Sequence, residues 1–148
     1  MSVHTDHDIV VSSWAELCDR VYDFAWKGDL GRFRSDYAYR GMPDVEYRLV
    51  NGFIRNCGQH RQLEYHLLRN FRKYAQFREQ QLFTSEWRVM TIGQHYGLPT
   101  RLIDWTYSPF VAIHFATAAL DKFDSDGVIW QVDYVQANRL VPETLRRV

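Results

Sequence analysis

The stretch Gly93-Gln94-His95-Tyr96-Gly97-Leu98-Pro99-Thr100-Arg101-Leu102-Ile103-Asp104-Trp105-Thr106 decides the fold of this chain. Its first half ends a helix, because Gly97 is a C-terminal stop and Pro99 bars continuation. Its second half, Thr100 to Trp105, reads as a brief buried strand. Thr100, Leu102 and Asp104 would share one face of it, and Arg101, Ile103 and Trp105 the other. Thr106 or Ser108 then caps a second helix, with Pro109 at an early helical position. A helix, a tight turn, a short strand and another helix in immediate succession predict an α+β architecture.

Working outward gives the same alternation. On the N-terminal side, Ser85 caps a helix over Glu86 to Tyr96. The longest helical pattern runs from Gln59 to Gln80, with Leu63, Leu67, Phe71, Tyr74 and Ala75 as its buried stripe. Tyr47 to Gly58 is mixed. A strand around Asp36 to Arg40 places Tyr37 and Tyr39 on one face and is ended by Gly41 and Pro43. Ser13 and Glu16 form a capping box. The helix it opens carries Trp14, Leu17, Cys18, Val21, Phe24 and Ala25, and Gly28 stops it. On the C-terminal side, Phe110, Val111, Ile113, Ala116, Ala119 and Leu120 line the second helix. Asp124 to Gly127 is a turn cluster, and Val128 to Tyr134 alternates as a strand. The expected organisation is a flexible N-terminus over residues 1–8 and one domain over 9–148. That domain packs its helices on a small mixed or antiparallel sheet.

Composition narrows the function classes. The chain has 148 residues, 46% hydrophobic and 24% charged, which is globular rather than disordered. Lys+Arg and Asp+Glu are 18 each, which argues against a globally basic nucleic-acid binder and against an acidic tail protein. Aromatics reach 16%, a load that fits a bulky core or an aromatic-lined pocket. Two cysteines, Cys18 and Cys57, read as free thiols of a reducing compartment. The N-terminus lacks a basic region followed by an apolar one, so it is no signal peptide. No apolar run is long enough to span a bilayer. The expectation is a soluble cytoplasmic protein without a membrane partner.

Several chemistries find little support. His4 and His7, or Cys57 and His60, are isolated pairs, whereas zinc needs three or four ligands held by ordered chain. No metal is expected. No nucleophile elbow, Walker loop or dinucleotide fingerprint is present. Five arginines and one lysine face a single acid, Glu64, between Arg55 and Arg78. Arg61, Arg69 and Arg72 fall near one face there, the only route by which the chain would meet nucleic-acid phosphate. A solvated outer face explains the strip better, because no DNA-reading motif accompanies it.

The segment from His95 to Thr106 stands apart. It concentrates an imidazole, a guanidinium, a carboxylate, hydroxyls and large aromatics at a helix–strand junction, where polar side chains are aimed into clefts. Each has a structural reading too. Asp104 can cap the following helix, Arg101 can pair with Asp104 or Glu86, and His95 suits a helix C-terminus.

Tyr39-Arg40-Gly41, Gln94 through Thr106, and Ser108-Pro109-Phe110-Val111-Ala112-Ile113-His114-Phe115-Ala116 together resemble the FRG domain family. That family is named for a Phe-Arg-Gly triplet whose first position is Tyr39 here. Val128 to Asp133 is similar to the family's later strand. The resemblance thins beyond Tyr134, so the chain reads as a short member or a fragment. The family is largely one of bacterial and phage proteins, and the resemblance brings no established reaction.

The layout more distantly resembles ADP-ribosyltransferases, which implies a pocket for a nucleotide-type ligand such as NAD. By that analogy Arg40 binds phosphate or ribose, Thr100 and Thr106 stand near the nicotinamide ribose, and Tyr96 or Trp105 stacks on the ring. Arg40, Thr100 and Asp104 become the catalytic candidates. Arg40, Gly41, His95, Tyr96, Thr100, Arg101, Asp104, Trp105 and Thr106 become the ligand-binding set. The departure is the late catalytic glutamate, since only Glu143 follows Glu86. The alternative is a non-catalytic binding or protein-interaction module in which Arg40, His95, Arg101 and Asp104 serve recognition or the stability of the fold.

Overall fold

The computed structural model describes residues 8–23, 25–58, 60–75 and 85–143. These fall into two compact units, one of residues 1–47 with 105–148 and one of residues 48–104. Among the described residues the first unit combines helices with antiparallel ribbons and the second is helical, so the chain as a whole is α+β.

The first unit opens with α1, Trp14–Tyr22. Ser13 caps it as expected, its hydroxyl accepting the Glu16 N–H at 3.2 Å. The Glu16 carboxylate reaches back one residue further than a capping box requires and accepts the Ser12 N–H at 3.0 Å. The helix stops at Tyr22, short of Gly28, and Phe24 lies outside the described residues. The reason is a hairpin that sequence periodicity conceals. The strands β1, Trp26–Lys27, and β2, Arg32–Phe33, pair across a turn in which Gly31 adopts φ +57°.

A longer ribbon carries the unit. The strands β3, Tyr37–Met42, and β4, Val128–Asp133, pair antiparallel from Tyr37↔Asp133 to Met42↔Val128. β3 therefore runs through Gly41 instead of ending there. Gly41 is needed for close approach, because a Cβ on it would lie 1.7 Å from the Ala112 carbonyl oxygen. That carbonyl belongs to α5, Pro109–Thr117 (the labels α2 to α4 belong to the second unit). Ala112, Ile113 and Ala116 are the buried face of α5. The helix ends before Ala119 and Leu120, and Leu120 is exposed. At its last turn the Thr117 hydroxyl donates back to the Ile113 carbonyl. β4 ends at Asp133, not Tyr134. Asp133 caps α6, Tyr134–Leu140, by accepting the Gln136 N–H at 2.8 Å.

Among its described residues the second unit has three helices: α2, Gly52–Cys57; α3, Arg61–Ala75; and α4, Glu86–His95. α2 resolves the mixed segment, capped by Asn51 accepting the Ile54 N–H at 2.8 Å. α3 confirms the long helix as far as Ala75, and residues 76–80 lie outside the described chain. Its expected stripe is only partly right. Leu63 and Tyr74 are exposed, while the buried residue is a charged one, Glu64. α4 begins at Ser85, which accepts the Arg88 N–H, and Gly97 follows it with φ +86°. No described helix is long and apolar enough to cross a membrane.

Candidate functional site

The largest departure from the sequence reading lies in the signature segment itself. Thr100 to Trp105 does not form a strand. Its backbone groups are met by other partners. The Thr100 carbonyl accepts the Phe53 N–H at 2.9 Å, the Arg101 N–H donates to Glu64 Oε1 at 3.1 Å, and the Leu102 N–H donates to Thr100 Oγ1 at 3.2 Å. A ladder would need those same groups, so side-chain capture excludes it. One bridge remains at the end of the segment, where Thr106 exchanges two backbone bonds with Tyr39 at 2.7 and 2.9 Å.

The signature residues divide between the units. His95, Tyr96, Thr100, Arg101 and Asp104 belong to the second. There Arg101 meets neither Asp104 nor Glu86 as its closest acid, but Glu64 on α3. Its Nε donates to Glu64 Oε2 at 2.6 Å, and one terminal guanidinium nitrogen donates to the same oxygen. The Glu64 side chain is 4% exposed and that of Arg101 62%, so a buried carboxylate is neutralised from the surface. The hydrogen bond to Glu64 raises the Arg101 pKa above its already high ordinary value, with the Glu86 charge adding to it. Thr100, 1% exposed, donates its hydroxyl to Gln94 Oε1, and Gln94 Nε2 donates to Asp104 Oδ1. Gln94 and Glu64 are thus the residues the sequence reading missed. Glu64 lies 37 positions from its partner, and nothing local marks it. His95 and Tyr96 are exposed, their rings 5.5 Å apart, with Tyr96 against Phe71 at 6.5 Å. On the basic strip, Arg72 turns to Glu86 at 3.9 Å and Arg69 is exposed.

Arg40, Gly41, Trp105 and Thr106 belong to the first unit. Its ribbon has two unlike faces. Tyr37, Tyr39 and Gly41 share one, where the Tyr39 hydroxyl donates to the Val21 carbonyl at 3.3 Å and Gly41 meets α5. Ala38, Arg40 and Met42 share the other, opposite Val132, Trp130 and Val128. On that second face an open recess of about 270 Å³ is lined by Ala38, Val132, Trp105, Thr106, Tyr107 and Tyr134. The Tyr107 and Tyr134 rings meet edge to face at 5.3 Å. The next cross-strand pair along the ribbon is Arg40 with Trp130. The Trp130 Nε1 is buried and no acceptor among the described residues reaches it. Tyr107, Tyr134 and Trp130 were not foreseen as site residues, although the aromatic load pointed to such a place.

The model of the FRG domain matches residues 35–125, more than half of the chain. The chain belongs to the FRG domain family. That match runs from just before β3, through the Tyr39-Arg40-Gly41 triplet and the 93–106 signature, to beyond α5. No curated protein and no solved structure matches this FRG domain significantly.

Proposed function

We propose that this FRG domain is a recognition module for a nucleotide-type ligand and performs no group transfer on it. The aromatic recess on the Arg40 face of the β3–β4 ribbon carries the reading. Its 270 Å³ suits one flat heterocycle, such as a nicotinamide or adenine ring, held between Trp105, Tyr107 and Tyr134. Arg40, one cross-strand pair away, supplies a guanidinium whose fork matches phosphate. None of the six lining residues bears a carboxylate. Transfer from NAD would need one to stabilise an oxocarbenium, so recognition without turnover fits the lining better. In this reading Thr100, Arg101 and Asp104 serve the fold of their own segment.

The test is a thermal-shift titration with NAD, ADP-ribose and ATP on the wild type, Trp105→Ala and Arg40→Ala. A ligand at 100 times its Kd stabilises by about 2.7 kcal/mol, a shift of several degrees. The expected result is a shift with at least one of the three that both substitutions remove. No shift with any of them sinks the reading. Release of nicotinamide from NAD would return the transferase alternative.

A further inference from the structure

A second surface of the first unit is independent of the recess. The rings of Trp14, Phe110, Tyr22, Phe33 and Trp26 form one connected chain. Their centroids lie 6.1 Å apart for Trp14–Phe110, 5.9 Å for Phe110–Tyr22, 5.6 Å for Tyr22–Phe33 and 5.1 Å for Phe33–Trp26. Core rings in such contact are ordinarily covered, but these range from 38% exposed (Tyr22) to 63% exposed (Phe33). The patch continues along α5. With Ala112, Ile113 and Ala116 facing inward, helical spacing turns Phe110, Val111, His114 and Phe115 outward together, and Phe115 is 59% exposed. His114 is the one titratable side chain of α5. A helix so apolar on every side is ordinarily buried on every side.

We propose that this ring chain and the outer face of α5 form the surface through which two copies of this chain pair. Two observations select a second copy as the occupant. The first is area. Six large rings and Val111, about half in solvent, offer roughly 600–800 Å² at ~150–250 Å² per aromatic side chain. That is close to the ~800 Å² each partner buries in a standard interface. It also exceeds what most monomers leave in one apolar patch. The second is charge. Exposed charges of both signs stand near the rings in sequence: Asp19, Arg20 and Asp23 around Tyr22, and Asp29, Arg32 and Arg34 on the hairpin that carries Phe33. An acidic or basic partner, or an anionic lipid surface, would select one sign. A two-fold pairing sets one copy's acids against the other's arginines and needs both.

Sedimentation velocity over a concentration series tests this, with far-UV circular dichroism confirming the fold of each variant. The wild type is expected to pass from monomer to dimer with a micromolar Kd. Phe115→Asp, on the exposed side of α5, should weaken pairing at least about tenfold while remaining folded. Two rim variants provide the second arm. Asp19→Arg with Asp23→Arg shifts the rim by four charges towards positive, and Arg32→Asp with Arg34→Asp shifts it by four towards negative. Each should dimerise more weakly alone, and an equimolar mixture of the two should form heterodimers. A wild type that stays monomeric to its solubility limit overturns the proposal. So does one that stays monomeric and pellets with phosphatidylcholine/phosphatidylserine vesicles, and so does a dimer insensitive to all three variants.

Discussion

Arg101 and Glu64 show what a polar signature residue does when its partner is distant in sequence. Glu64 is buried on α3, and a buried carboxylate is costly unless it is neutralised and hydrogen-bonded. Arg101 does both, with its guanidinium and its backbone N–H. Truncating Arg101 removes the cation but leaves the buried acid. Because Arg101 is itself largely exposed, solvent screening moderates the loss, and Arg101→Ala should cost about 1–3 kcal/mol. Glu64→Gln in the same background removes the charge that was stranded and should recover part of that loss. A double-mutant cycle by urea denaturation checks it, and a coupling below about 0.5 kcal/mol would show that the pair does not act as a unit. Sequence reading offers Arg101 a structural partner in Asp104 or Glu86 and misses Glu64, since pairing across 37 residues leaves no periodic trace.

At the scale of elements, some of the ends that glycine and hydroxyl caps define were readable, although Gly28 and Gly41 did not end the elements assigned to them. Ser13, Ser85 and Gly97 stand where those rules put them, because a cap is a local arrangement of a few residues. What was unreadable depended on distant partners: the β1–β2 hairpin, the end of β3, and above all residues 100–105, whose alternation imitates a strand. Gln94 holds that segment to α4. Its amide accepts from Thr100 and donates to Asp104, and Thr100 in turn accepts the Leu102 N–H. Gln94→Leu keeps the bulk and the helix propensity but breaks the relay. In native-state hydrogen exchange the Leu102 amide should then exchange at least about tenfold faster. The Arg101 amide, donated to Glu64, should keep its protection. Equal acceleration at both amides would mean that the segment opens as a whole and that Gln94 is not its specific anchor.

Across the whole molecule, the α+β class and the family were legible in the sequence. Of the aromatic recess only Trp105 and Thr106 were among the candidate residues, because the rest of its lining comes from residues 38, 107, 132 and 134. The first unit is likewise assembled from the two ends of the chain, and one ion pair ties those ends across 78 positions. Lys122 Nζ donates to Asp44 Oδ2 at 2.9 Å and lies 5.3 Å above the Tyr47 ring. Its ammonium holds the Asp44 carboxyl below the usual carboxylate range, helped by the Glu46 N–H. Asp44 in turn raises the Lys122 pKa. Since Asp44 is depressed in the folded chain, its stabilisation is complete above the ordinary carboxylate value of about 4 and is lost as pH falls through the depressed value. Since Lys122 is raised, its stabilisation is complete below the ordinary lysine value of about 10.4 and is lost as pH rises through the raised one. Asp44→Asn keeps an oxygen for the Glu46 N–H and removes only the charge. The Tm difference between wild type and Asp44→Asn should therefore be flat from about pH 5 to pH 9 and shrink on both sides. A difference that persists undiminished into strong acid would show that Asp44 acts through its shape and its bond to Glu46, not through Lys122.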